Sequence, residues 1–570
     1  MRQKIKHNIP FAIFILILFF YLISYIGKIY GFVFFPDEFG YWFYAAKAAG
    51  YDWSNIVSLG SYYSFGYSLI LTPVFLICSN AVTAYRTAVV INFILMGCAG
   101  YVLSLLTCKL CSDDMNTQKN ELYTILGILY VSTLFYAKTT LTETLLMVSF
   151  IFAAYILYEY MQTRKKILLL LVALLVIHMY TIHMRSLAVI IALAVTILYQ
   201  TIREHRKFGM VLAVIIVSAI LLVLAAYVRG VLLQTEYAEA DTVLLDANGM
   251  KGQIPKLLLA FTGQGLIRLL QSLSGKLLYM GIATFGLAYW GIRECIVRLK
   301  NSHNYFYIFL VFTMVVQLGI TTIYNINPHR TDEVIYGRYH EYIFPIFMAL
   351  GAYAIARTRR PWIFTVSLCG AQAILTAVCI QSMNNNQLND YQGFFSLGMS
   401  YFYNPENYNT QAFMWKMYGC GVILTFMFTY VIWSCGQMEV NRNVLWMLIA
   451  LEVIISVRLS AVYTDYYNQN AREDVNIANH VEQLQEQTDR RIVYVNSYSV
   501  PIIDSIQFQL RDARIDVIDP KEQATDYTDD ELRETDLVLI AASDEFQEQL
   551  MKIYDHKITG GHFTLLYNER

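Results

Sequence analysis

Apolar and polar positions alternate on a long scale in this chain. Between Pro10 and about Tyr463, apolar runs recur that are long enough for helices to cross hydrocarbon, with short polar stretches between them. This predicts an all-α polytopic membrane body over residues 1–465. The run from Ile9 to Phe35 exceeds a signal-peptide core and lacks a small-residue cleavage site, so a retained first helix is expected. Beyond residue 470 the period changes. "RIVYVNS", "ARIDVID", "TDLVLIAAS" and "HFTLLYNE" read as strands, and "PIIDSIQFQL" and "DEFQEQLMKIY" as amphipathic helices. A small α/β layer domain is expected over 471–570.

Composition supports the division. Of 570 residues, 56% are hydrophobic and 15% charged, with a mean hydropathy of +0.43; soluble domains are nearer ~25% charged. The formal charge of −1 conceals two environments. Residues 471–570 carry 21 acidic and 10 basic side chains, and the rest carry 22 and 32. All nine cysteines precede the tail, which excludes a disulfide framework there. "CKLC" at Cys108–Cys111 has metal-ligand spacing but no second pair or histidine nearby, and is taken as structural. The tail's only glycines are Gly560 and Gly561, which excludes a glycine-rich phosphate loop.

Basic residues concentrate on the cytoplasmic side of membrane proteins. Placing Arg2/Lys4/Lys6, Lys109/Lys119, Arg164/Lys165/Lys166, Arg203/Arg206/Lys207, Arg293/Arg298/Lys300 and Arg357/Arg359/Arg360 inside gives about thirteen spans. Among them are 122–137, 272–292 and 341–356. The N-terminus is then cytosolic and the tail extracytoplasmic, on a multi-pass protein of the cytoplasmic membrane. "FGYSLILTPVFLI" is too short to span and carries Pro73. It is read as an interfacial or re-entrant helix, 65–79, within a first outer loop of residues 34–86.

This path gathers ionisable residues on the outer face. They are Asp37 and Glu38 in "FFPDEFGYWFYAAK", Glu143 in "TTLTETLL", Arg185 in "HMRS", and His329, Arg330, Arg338, Tyr339 and His340 in the loop Asn327–Tyr342. Ionisable groups at a membrane edge mark a functional site by default. Plainer readings stand beside each. The acidic pair could cap a following interfacial helix, Thr140–Glu143 resembles a capping box, and Arg185 could snorkel to the interface.

A carboxylate pair beside arginines at headgroup level suits transfer from a lipid-linked sugar. A base takes the proton of the acceptor hydroxyl as it attacks the anomeric carbon. Arginine stabilises the departing prenyl phosphate without a metal. Neighbouring helical residues point ~100° apart, so Asp37 and Glu38 should not share one role: one is the base, and the other positions the acceptor or the loop.

An acidic pair just after the first span, a re-entrant first outer loop, about thirteen spans and an outer C-terminal domain resemble the GT-C superfamily. Within it the chain is most similar to the family 39-like enzymes, which include protein O-mannosyltransferases and the lipid A aminoarabinose transferase. "TLTETLLM", "HMRSLAV" and "YGRYHEYIFP" look like that group's outer-face segments. The resemblance implies Asp37 as catalytic base, a polyprenyl-phosphate sugar donor and inversion at the anomeric centre. Arg185, Arg338 and His340 are donor-phosphate candidates by location, and Glu143, Tyr339, His329 and Arg330 are candidates for substrate positioning. No cofactor is expected, and a divalent cation is compatible but not required. The expected partners are the lipid-linked donor, membrane lipid and a glycan, lipid or protein acceptor, with no nucleic acid.

Two further outer segments stand out. Residues 230–271 are long enough for a flap over the site, and 383–411 mix amides with aromatics that suit either sugar stacking or an interfacial belt. The rival functions are a flippase or transporter, which should show inverted repeats and mid-span charges, and a polymerase or ligase for lipid-linked saccharides.

Overall fold

The computed structural model describes residues 9–569 apart from 60–63, 112–116, 206–208, 235–249, 303, 405–406, 439, 498–499 and 501. The chain is an all-α bundle followed by a small sheet. Eight described helices are long and apolar enough to cross a membrane: Ile9–Ile26, Ala81–Leu110, Glu143–Thr163, Met184–Arg203, Phe306–Tyr324, Trp362–Asn385, Thr410–Gln437 and Arg442–Tyr463. Shorter apolar helices, Lys166–Ile182 and Ile215–Val228, accompany them. Asparagines set two of the starts. Asn80 accepts from the Thr83 amide at 2.8 Å, and Asn409 from the Ala412 amide at 2.9 Å.

Two expected spans are interrupted. Residues 122–137 divide into Thr117–Ile128 and Val131–Tyr136. The Thr133 hydroxyl donates to the carbonyls of Ile128 (2.6 Å) and Tyr130 (2.7 Å), competing with the helical ladder at the break. Residues 272–292 divide into Gly263–Ala283 and Leu287–Ser302. There Phe285 and Gly286 take φ of 51° and 77°, and the Gly286 amide closes back on the Gly281 carbonyl at 2.8 Å, a left-handed helix stop. The expected span 341–356 begins as a 3-10 turn, Glu341–Ile343, before the helix Phe344–Arg357.

In the first loop a short helix, Asp37–Ala48, is followed by the ten-residue apolar helix Ser68–Ile77. They are joined where the Ser68 hydroxyl donates to the Tyr41 carbonyl at 2.6 Å. The helix Asp465–Thr488, unassigned from the sequence, leads out of the bundle. The tail then forms a five-stranded sheet: β1 Ile492–Val495, β2 Ile515–Ile518, β3 Leu537–Ala541, β4 His556–Gly560 and β5 Phe563–Tyr567. Its order is β2-β1-β3-β5-β4, parallel across β2-β1-β3 and antiparallel across β3-β5-β4. The four expected strands are present. β4 is additional, paired to β5 through a hairpin that turns at Gly561, φ 59°.

Candidate active site

Asp37 and Glu38 open the helix Asp37–Ala48, where the dipole favours negative charge. Their surroundings then diverge. Glu38 is fully buried. Its Oε1 accepts from the amides of Val33 (2.8 Å) and Phe34 (3.0 Å). Its Oε2 accepts from the Thr140 amide (2.7 Å), the Thr140 hydroxyl (2.6 Å) and the Tyr85 hydroxyl. Burial raises its pKa, and the Thr140 and Tyr85 hydrogen bonds pull it back. With five donors on two oxygens, Glu38 ties the first loop to the segment before Glu143.

Asp37 faces the other way. Its Oδ2 accepts from Arg338 Nη1 at 2.6 Å, and its side chain keeps 19% exposure. Arg338 Nε reaches Glu143 Oε1 at 2.6 Å, and Arg185 Nη2 reaches the same oxygen at 2.8 Å. The side chains of Glu143, Arg185 and Arg338 are each no more than 4% exposed. Two carboxylates and two guanidiniums thus form one charge-balanced chain, Asp37–Arg338–Glu143–Arg185, open to solvent chiefly at Asp37. Burial works against the Arg338 charge, but Glu143 and Asp37 outweigh it and hold the group firmly protonated. Arg185 is not saturated: among the described residues its Nε and Nη1 are buried without a hydrogen-bond partner, as is Glu143 Oε2. Buried donors of this kind normally have acceptors.

Several elements hold this chain in place. The amides of Gly337 and Arg338 donate to the Phe395 carbonyl at 2.9 and 3.0 Å. A Cβ at Gly337 would lie 2.0 Å from the Tyr279 ring, so only glycine allows this approach. Tyr339 lies beneath Arg185, 4.8 Å from its guanidinium carbon, and against His183, Tyr324 and Tyr336. Gln317, inside a span, donates to the Tyr339 carbonyl at 2.8 Å and accepts from the Tyr342 hydroxyl at 2.9 Å. The Phe395 ring carries Arg338 and Arg330, at 5.7 and 5.2 Å from its centroid. Other aromatics of 391–413, such as Tyr391, Tyr403, Tyr408 and Phe413, pack on one another.

Not every candidate joins the chain. Arg330 pairs with Asp332 and Glu333 at 3.2 Å and lies against Phe395, the ring that also carries Arg338. His329 lines a separate cavity of about 350 Å³ with Arg268, Asn327 and Asn386. His340 is fully buried between Tyr279 and Phe344, and neither ring nitrogen has a hydrogen-bond partner among the described residues. Burial, with the Lys276 and Arg185 charges, pushes its pKa down to about 3, so it is a neutral packing group. Residues 235–249 of the expected flap lie outside the described residues.

Lys138, Tyr85 and Gln317 escape sequence reasoning, and Thr140, expected to open a capping box, donates to Glu38 instead while Thr142 takes the N-cap position. Lys138 is buried with Nζ 3.7 Å from the Tyr25 ring centroid and bonded to the Ser460 hydroxyl. Burial holds its pKa well below the usual lysine range. The run "AKTTLTE" offered a signal, since a charge and four hydroxyl or carboxyl groups crowd between two apolar helices. Among the described residues no group of three or more His, Cys, Asp and Glu is placed to hold a metal ion.

No family model and no curated protein matches the chain at the sequence level. Solved structures do match. The crystal structure of ArnT from Cupriavidus metallidurans bound to undecaprenyl phosphate is similar at 10% identity and a TM-score of 0.51, covering 97% of each chain. The apo structure of the same ArnT aligns at 11% identity and a TM-score of 0.53, over 99% of this chain and 98% of that one. Over nearly its whole length, helical bundle and terminal sheet included, the chain therefore has the fold of ArnT.

Proposed function

We propose that the chain is an inverting membrane glycosyltransferase that moves a sugar from a polyprenyl-phosphate donor to an acceptor hydroxyl on the outer face of the cytoplasmic membrane. The observation that carries this reading is the Asp37–Arg338–Glu143–Arg185 chain, with one carboxylate partly open and buried arginine donors to spare. One of the two ArnT structures was solved with undecaprenyl phosphate, which supports a donor of that class.

In this mechanism the donor phosphate takes up the free Arg185 donors and competes with Asp37 for Arg338. Asp37 is thereby released to accept the proton of the acceptor hydroxyl. The hydroxyl oxygen bonds to the anomeric carbon from the face opposite the phosphate, and the bond from that carbon to the phosphate oxygen breaks with inversion. The bonding electrons leave on the prenyl phosphate, whose charge Arg338 and Arg185 stabilise. Glu143 keeps the two guanidiniums together. Arginine-assisted departure makes a cation dispensable.

The test combines envelope chemistry with a variant. Mass spectrometry of cell-envelope glycans should show one sugar decoration lost when the protein is absent, and Asp37→Asn should reproduce that loss with normal membrane insertion. Retained transfer by Asp37→Asn removes the base assignment. Accumulation of a lipid-linked precursor on the cytoplasmic side points to a flippase instead.

A further inference from the structure

We infer that the tail acts as a positioning element for the loop that carries Asp37, through Phe508 and Arg511 at the end of the helix Asp504–Leu510. This inference deepens the proposed function and rests on it for the role of Asp37. The Phe508 ring is fully buried and lies 4.6 Å from the Phe32 ring, 5.1 Å from Trp42 and 6.4 Å from Tyr85, centroid to centroid. Each neighbour bears on the acidic pair. Tyr85 donates to Glu38, Trp42 Nε1 donates to the Thr140 hydroxyl at 3.0 Å, and Phe32 packs on Phe35 and Phe39 either side of the pair.

Arg511 grips the neighbouring helix. Nη1 donates to the Cys78 carbonyl at 2.6 Å and Nη2 to the Phe75 carbonyl at 2.5 Å, while the guanidinium lies 4.1 Å from the Phe75 ring centroid. These are the orphan carbonyls at the C-terminal end of Ser68–Ile77, where a cation is favoured. The Arg511 carbonyl accepts from Trp53 Nε1 at 2.5 Å. Its backbone sits at φ 42°, ψ −76°, an uncommon conformation for a residue with a side chain, which surrounding contacts must enforce. Only the folded tail presents Phe508 and Arg511 together, so the loop holding the carboxylates is clamped between bundle and sheet.

A one-ångström misplacement of a reacting group can cost about a hundredfold in rate. The full-length protein in lipid nanodiscs is compared with Arg511→Ala, Phe508→Leu, Arg511→Lys and Arg491→Ala. Arg491 pairs with Asp536 inside the tail and serves as the control. Hydrogen exchange of peptides covering 34–48 and 68–77 should speed up about tenfold or more in Arg511→Ala and Phe508→Leu, and not in Arg491→Ala. With a polyprenyl-phosphate sugar, kcat should fall about tenfold to a hundredfold with KM within about twofold, and Arg511→Lys should recover part of the loss. Unchanged exchange in 34–48 overturns the clamp whatever the activity, and faster exchange with undiminished kcat overturns its positioning role. A wild-type protein without transfer activity defeats the proposed function, while the exchange data still decide the clamp.

Discussion

Asp37 and Glu38 are neighbours in the chain, and the structure puts them in opposite regions. Around Glu38, five neutral donors converge on a fully buried carboxylate, and no side of it is left for a substrate. Asp37 instead pairs with the Arg338 guanidinium and keeps a partly open face. The first region spends its hydrogen bonds on joining two loops; the second retains capacity to exchange partners. A buried carboxylate with all its lone pairs satisfied is scaffold, whereas a partly exposed one paired with an arginine can exchange that arginine with another anion. The helical angle between successive residues is what separates them.

The sharpest way to break this contrast is to neutralise each carboxylate in turn. Asp37→Asn should lower transfer by about 10²–10⁴-fold, the range for a lost general base, with little change in thermal stability. Equal losses of turnover from Asp37→Asn and Glu38→Gln would erase the distinction. Next in size, Arg338→Ala should reduce kcat by about 10²–10³-fold in a donor-transfer assay, as for one lost transition-state donor, and impair donor use more than acceptor use. Glu38→Gln should act mainly on the fold, since its amide N–H groups would face existing donors. A destabilisation of about 1–3 kcal/mol by thermal unfolding in detergent is expected, with turnover of the folded fraction reduced less than tenfold.

Smaller still is a pH effect from His340, whose pKa is about 3 in the fold against an ordinary value of 6.5. Because the folded value lies below the unfolded one, this contribution is present above pH 6.5 and is lost as pH falls toward 3. Between pH 6.5 and 5.5 the loss should be about 1 kcal/mol, and His340→Phe should flatten that part of the profile. Smallest of all, treatment with a chelator should leave transfer unchanged; abolished activity restored by a divalent cation would add a metal to the charged region.

The fold was legible wherever residue spacing is the controlling physics. Apolar runs marked the helices, and the change of period after residue 470 marked four of the five strands. Spacing does not reveal the breaks within 122–137 and 272–292, because Thr133 and the Phe285-Gly286 stop interrupt these runs without lowering hydropathy. Of the candidate residues, Asp37, Glu143, Arg185 and Arg338 come together although they lie in four separate segments. His340 has charge-bearing neighbours in "GRYHEY", yet one residue beyond Tyr339 its ring turns into the aromatic core. Gln317 gives little warning, since a polar residue in an apolar run does not announce which backbone it will meet, and the crowded run around Lys138 does not say which ring its charge will face.

By itself, the sequence determined that this chain is a multi-helix membrane body with an acidic α/β tail, because hydrophobic length and periodicity are properties of the chain alone. It also determined which ionisable groups stand at helix ends, where charge is least costly. The tertiary structure decided which of them touch. Contact between residues three hundred positions apart depends on how helices pack and which way each side chain turns, and no local spacing encodes that. It alone made Glu38 a tie, Asp37 the open carboxylate and the tail a clamp on both.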